Sequence, residues 1–122
     1  MTIKKLTMQE VFDTAVIGLL KQGVKSAEPG NPSACRYRGE GGLKCAVGFL
    51  IPDELYDDSI ECCEVSNNAV LELLDKCGVP TTTAGTTKLL EQLQEIHDYR
   101  PVGKWRGCFN DLAGDFGLDV NF

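Results

Sequence analysis

The chain is poor in what metal and membrane chemistry usually need. It has a single histidine, His97, no pair of cysteines in CxxC spacing, and no apolar run approaching the length of a membrane span. The missing CxxC and HxxxH pairs remove the usual zinc-finger spacing, and the missing apolar run removes a transmembrane helix. The N-terminal stretch MTIKKLTMQEVF lacks an uninterrupted apolar segment after its lysines, so no signal peptide is expected. The six cysteines are therefore expected as thiols in a reducing cytosol. Bases are absent from Cys45 to Asp75, a span holding Asp53, Glu54, Asp57, Asp58, Glu61, Glu64, Glu72 and Asp75. That acidic segment is not an EF-hand, because PDELYDDSIE lacks the alternating ligands and central glycine. GEGGLK likewise lacks the spacing of a phosphate-binding loop.

What remains is an ordinary globular composition. At 122 residues, with 43% apolar and 25% charged side chains, the chain is long enough for one domain with its own core. The formal net charge of −6 argues against a nucleic-acid backbone as the main partner. The acidic stretch reads first as a solvated face, and second as a surface that docks a basic protein or mimics nucleic acid. Small basic groups lie elsewhere, at Arg36, Arg38 and Lys44 and again at Arg100, Lys104 and Arg106.

Local signals predict four main helices. Thr7 and Glu10 form a capping box, after which Val11, Phe12, Ala15, Val16, Leu19 and Leu20 make one apolar face that Gly23 terminates. Ser66 or Asn67 caps a second helix carrying Val70, Leu71, Leu73, Leu74 and Cys77, stopped by Gly78 and Pro80. A third runs from about Thr87 to Asp98 after a Thr-rich turn. A last one presents Trp105, Phe109, Leu112 and Phe116 and ends at Gly117, with Leu118 folding back. Ala27 to Ser33 reads as a loop. Cys35–Arg38 and Leu43–Cys45, flanking a glycine-rich connection, predict a small β-hairpin around residues 35–45, with Arg38 paired to Leu43. CAVGFLI fits either a buried helix or a buried strand, and Pro52-Asp53-Glu54 opens a new helical turn. The expected class is mainly α, with four or five helices and that hairpin.

Two residues invite catalytic readings. Cys45, at a helix start near Lys44 and Arg36, would have a stabilised thiolate and could pair with His97 as a Cys/His hydrolase. His97 projects into the apolar arc of Leu89, Leu90, Leu93 and Ile96, with Asp98 directed to the opposite side and badly placed to orient the ring. The simpler reading of His97 is a core histidine bonded to a carbonyl or carboxylate. Cys35, Cys45 and His97, with Cys62 or Cys63, are the alternative as a tetrahedral zinc set. Cys77 and Cys108 read as core residues on helix faces.

The run Cys35-x-Tyr37-Arg38-Gly39, followed by Gly42-x-Lys44-Cys45-Ala46-x-Gly48-x-Leu50-Ile51-Pro52-Asp53-Glu54-x-Tyr56, resembles a segment of small uncharacterised proteins of tailed bacteriophages and prophages. Leu89-Leu90, Leu93-Gln94, His97-Asp98 and Trp105 are similar to that group as well, so the resemblance spans most of Met8 to Leu118. It implies a phage origin and a bacterial cytoplasm, and carries no activity or catalytic residues. Small acidic phage proteins often act by binding host proteins, so the resemblance implies capture of a host-defence or regulatory component as the expected function. Arg36, Tyr37, Arg38, Lys44, Tyr56 and Tyr99 are the expected anchors, being the arginine, lysine and tyrosine types that dominate contact energies or steer binding. A homodimer is a further option.

Overall fold

The computed structural model describes residues 5–28, 31–61 and 63–122, and it is mainly helical. Helix α1, Met8–Gln22, starts where the capping box predicts: the Glu10 amide donates to the Thr7 hydroxyl, and the Thr7 amide donates to the Glu10 carboxylate. Its apolar face, from Val11 to Leu19, is buried, and Gly23 closes it at φ 70 by donating its N–H to the Leu19 carbonyl. Helix α2, Asn68–Lys76, is capped by the Asn67 side chain, which accepts from Ala69 N–H. Helix α3, Thr86–Tyr99, and helix α4, Trp105–Phe116, follow; the Leu118 amide folds back to the Ala113 carbonyl at 2.8 Å.

The segment between α1 and α2 departs from expectation. Residues 35–45 do not form a two-stranded hairpin. The glycine-rich connection coils into a 3₁₀ turn at Glu40–Gly42, closed by one isolated antiparallel bridge between Arg38 and Lys44. The register also differs by one residue, Arg38 facing Lys44 rather than Leu43. Gly39 N–H bonds the Leu43 carbonyl and Cys45 N–H bonds the Tyr37 carbonyl, after which the chain turns inward and no longer ladder can propagate. The short antiparallel pairing that does occur joins β1, Ala27–Glu28, to β2, Asn31–Cys35, in the stretch expected to be loop. Turn-forming composition marks a chain reversal without deciding whether its flanks exchange hydrogen bonds.

The CAVGFLI run is neither α-helix nor strand but a buried 3₁₀ turn, Val47–Leu50. It packs on α1 and α3, and α1 packs in turn on α3 and α4. A ring of apolar side chains including Phe12, Leu19, Leu74, Leu93, Trp105 and Phe109 fills the space between them. The ring of Phe49 stands against Gly18 of α1, so close that a Cβ there would stand 2.7 Å from it. The candidate site lies beside this packing, between α3 and the segments around Arg36 and Glu64.

Candidate functional site

The segment 37–61 is tied together by one carboxylate. Glu61 accepts the backbone N–H groups of Tyr37 (2.9 Å) and Arg38 (3.1 Å) and the hydroxyl of Tyr56 (2.5 Å). Bonds to an ionised acceptor are among the stronger hydrogen bonds available to a protein. Tyr37 itself is buried, with its hydroxyl donating to the Cys63 carbonyl at 2.7 Å. Burial raises its phenol well above the ordinary range. Arg38 donates to the Ile51 carbonyl and to Asp53, and its guanidinium stands 4.9 Å from the centre of the Tyr56 ring. The bond and charge of Arg38, with Lys44 second, hold the Asp53 carboxyl below its usual value. Lys44 also lies over the Phe49 ring at 5.7 Å.

These contacts relocate most of the expected anchors. Tyr37 is interior rather than at an exposed edge, and Arg38, Lys44 and Tyr56 are engaged within their own loop. Arg36 is half-buried beside Glu61, at 3.9 Å. Tyr99, at 77% exposure, is the one expected anchor whose ring stands free in solvent.

His97 is a core histidine with both nitrogens committed. The Ser26 amide donates to Nε2 at 3.0 Å, which leaves the proton on Nδ1 to be given to Asp98 Oδ1 at 2.7 Å. The ring also stacks on Trp105, with centroids 5.6 Å apart. The expectation that Asp98 points away from the imidazole is overturned. Neighbouring positions on a helix diverge by only about a quarter turn, so at the end of α3 the carboxylate swings back to the ring. Gln94, one turn earlier, holds it there by donating to the same oxygen at 2.9 Å.

Cys45 is fully buried, and its sulfur accepts the Gly48 amide at 3.4 Å, capping the 47–50 turn. The expectation of a stabilised thiolate is reversed here: burial pushes the thiol up to about 12, outweighing the hydrogen bonds that favour the anion. The structure therefore does not join Cys45 and His97 as nucleophile and base. No three His, Cys, Asp or Glu side chains converge as a metal site among the described residues. Cys62 and the side chain of Cys35, named for the zinc set, lie outside those residues. Cys77 is buried and Cys108 partly so, as their helix-face positions predict.

A cleft of about 410 Å³ opens between α3 and the loop segments around Arg36 and Glu64. Glu91, Glu95, Asp98 and Tyr99 supply one wall, Arg36 and residues 63–66 the other, and the buried Tyr37 and Val65 form part of its lining. Four carboxylates thus line the cleft with one guanidinium. The acids on α3 recur at four- and three-residue steps, a helical stripe present in the sequence. What the sequence does not show is which loop that stripe faces. Glu61, the other residue sequence reasoning passed over, carries no local signal, since the two backbone amides that it accepts lie more than twenty residues back.

Among the described residues, no helix is long and apolar enough to cross a membrane. No family model, curated protein or solved structure matches the chain.

Proposed function

We propose that this is a protein-binding module of a tailed phage or prophage, acting in the bacterial cytoplasm on a host-defence or regulatory protein. The observation that carries the binding part of this reading is Tyr99, an aromatic side chain 77% exposed on the wall of a cleft. A large ring left in water adds nothing to the core, whereas tyrosine is among the residues that dominate interface energies. The residues with catalytic potential favour the same direction, since Cys45 and His97 are bonded into the interior. The origin and the host setting rest on the resemblance of the 35–56 segment to phage proteins. The net charge of −6 favours a protein over a nucleic acid as the partner.

Native mass spectrometry of tagged chain purified gently from a bacterial lysate tests the reading. A host protein at fixed stoichiometry, lost on Tyr99→Ala while the circular dichroism stays unchanged, supports it. A bare chain or a homodimer, with no host protein in any growth condition, counts against it.

A further inference from the structure

The binding reading leaves open what the cleft takes, and its lining answers in chemical terms. Glu64, Glu91, Glu95 and Asp98 bring four potential negative charges to it, against the single positive charge of Arg36. That guanidinium stands 3.9 Å from Glu61, so a carboxylate outside the cleft already answers part of its charge. A concave surface with a net negative lining, backed by buried side chains such as Tyr37 and Val65, focuses its field on whatever enters. The carboxylates are spread along the walls and do not converge as a metal-binding group among the described residues, so the geometry suits an extended organic cation better than a bare ion. The Tyr99 ring on the wall adds a face on which an ammonium or guanidinium group can rest.

We infer that the cleft seats a lysine- or arginine-bearing segment of the protein partner, its cationic head between the α3 carboxylates and Glu64 and its stem against Tyr99. This rests on the binding reading above and goes beyond it by fixing the partner's charge. An anionic occupant, whether nucleic acid or a phosphorylated peptide, would meet the repulsion of the same carboxylates, and a purely apolar one would strip water from them without return.

The test is fluorescence anisotropy on the full chain with a labelled lysine- and arginine-rich peptide, and with its glutamine-substituted counterpart as the uncharged control. The basic peptide is expected to bind and the control not. E91Q/E95Q is expected to weaken binding about tenfold or more, against less than about twofold for E72Q/D75Q, which removes equal charge from α2 outside the cleft. Equal losses in the two variants would overturn the inference, because the peptide would then be reading net charge alone. Displacement of the peptide by free spermidine at similar concentration would overturn it in favour of a small polyamine site. No binding of the basic peptide would overturn it outright. The reading beneath it is tested separately: host-protein capture by E91Q/E95Q at full yield, with loss on Tyr99→Ala, sinks the cationic cleft and leaves the binding module standing.

Discussion

Single residues in this chain are constrained mainly by what they stand against. A Cβ on Gly48 would lie 2.1 Å from the Tyr37 carbonyl oxygen, a backbone atom that cannot swivel away. Gly48→Ala is therefore expected to cost about 3 kcal/mol or more, by forcing apart the bonded pair of loops. Gly114, within α4 and exposed, has nothing within 4 Å of the same construction. Gly114→Ala should instead stabilise by about 0.5–1 kcal/mol through helix propensity. Urea unfolding of the two variants checks both signs. His97→Ala would leave the Ser26 amide without its acceptor and open a cavity beside Trp105, at an expected cost of about 2–5 kcal/mol in the same assay. A smaller loss, below about 1 kcal/mol, would show that the pair of bonds to His97 contributes little.

Cys45 sets a pH dependence whose sign follows from its burial. The unfolded thiol ionises near 9, while the folded one is held protonated up to about 12. Above pH 9 the native state binds more protons than the unfolded state, so stability is whole below that pH and falls as pH rises towards 12. The fall should reach up to about 1.4 kcal/mol per pH unit from this group alone. Tyr56, pushed up to about 12 by burial and then by Glu61, and Tyr37 extend the same alkaline loss from the phenol range. Denaturant midpoints measured from neutral to alkaline pH should decline, and Cys45→Ala should flatten the part that begins at the thiol range.

The elements divide into those that hold themselves and those held by others. Helix α1 has its capping box, its apolar stripe and a glycine stop within its own sequence, and it forms where these signals place it. The stretch from 36 to 61 has little such support. Its 3₁₀ turns are three or four residues long, and they are held by non-local bonds, most of all those to Glu61. Removing one side chain should therefore loosen the whole stretch. Glu61→Ala is expected to cost about 2–4 kcal/mol, since two backbone amides and a tyrosine hydroxyl lose their acceptor together. Hydrogen exchange should show the loss of protection concentrated at Tyr37 and Arg38, with α1 and α4 unaffected. Uniform loss across the chain would mean that Glu61 supports the global fold rather than this segment. Arg38, Gly48, Asp53 and Tyr56 within it serve the architecture of the loop.

At the scale of the whole molecule, most of the described acids lie exposed while the Cys45 thiol and the His97 imidazole lie in the interior. Of the eight acids between Cys45 and Asp75, Glu61 is spent within the fold, while the other seven are exposed. The carboxylates of α3 and Glu64 continue the acidic surface into the cleft. In the interior, Cys45 and His97 are bonded to backbone groups and to Asp98. Such a molecule presents a negative surface with a single large ring, Tyr99, available for contact on the cleft wall.

The sequence by itself determined the four helices and, where a side-chain cap starts α1 and α2 or a glycine stops α1 and α4, their ends. Capping residues, terminating glycines and apolar recurrence act within one or two turns and need no distant partner. It also determined that His97 sits on an apolar face, and it placed the α3 acids on one stripe. Only the tertiary structure decided the rest. Whether Arg38 and Lys44 begin a ladder, whether Cys45 is ionisable, and what Glu61 holds all depend on groups far away in the chain. Burial and long-range hydrogen bonds carry no periodicity along the sequence. The cleft is the clearest case, because it exists only where α3 and residues 36–66 are folded against one another.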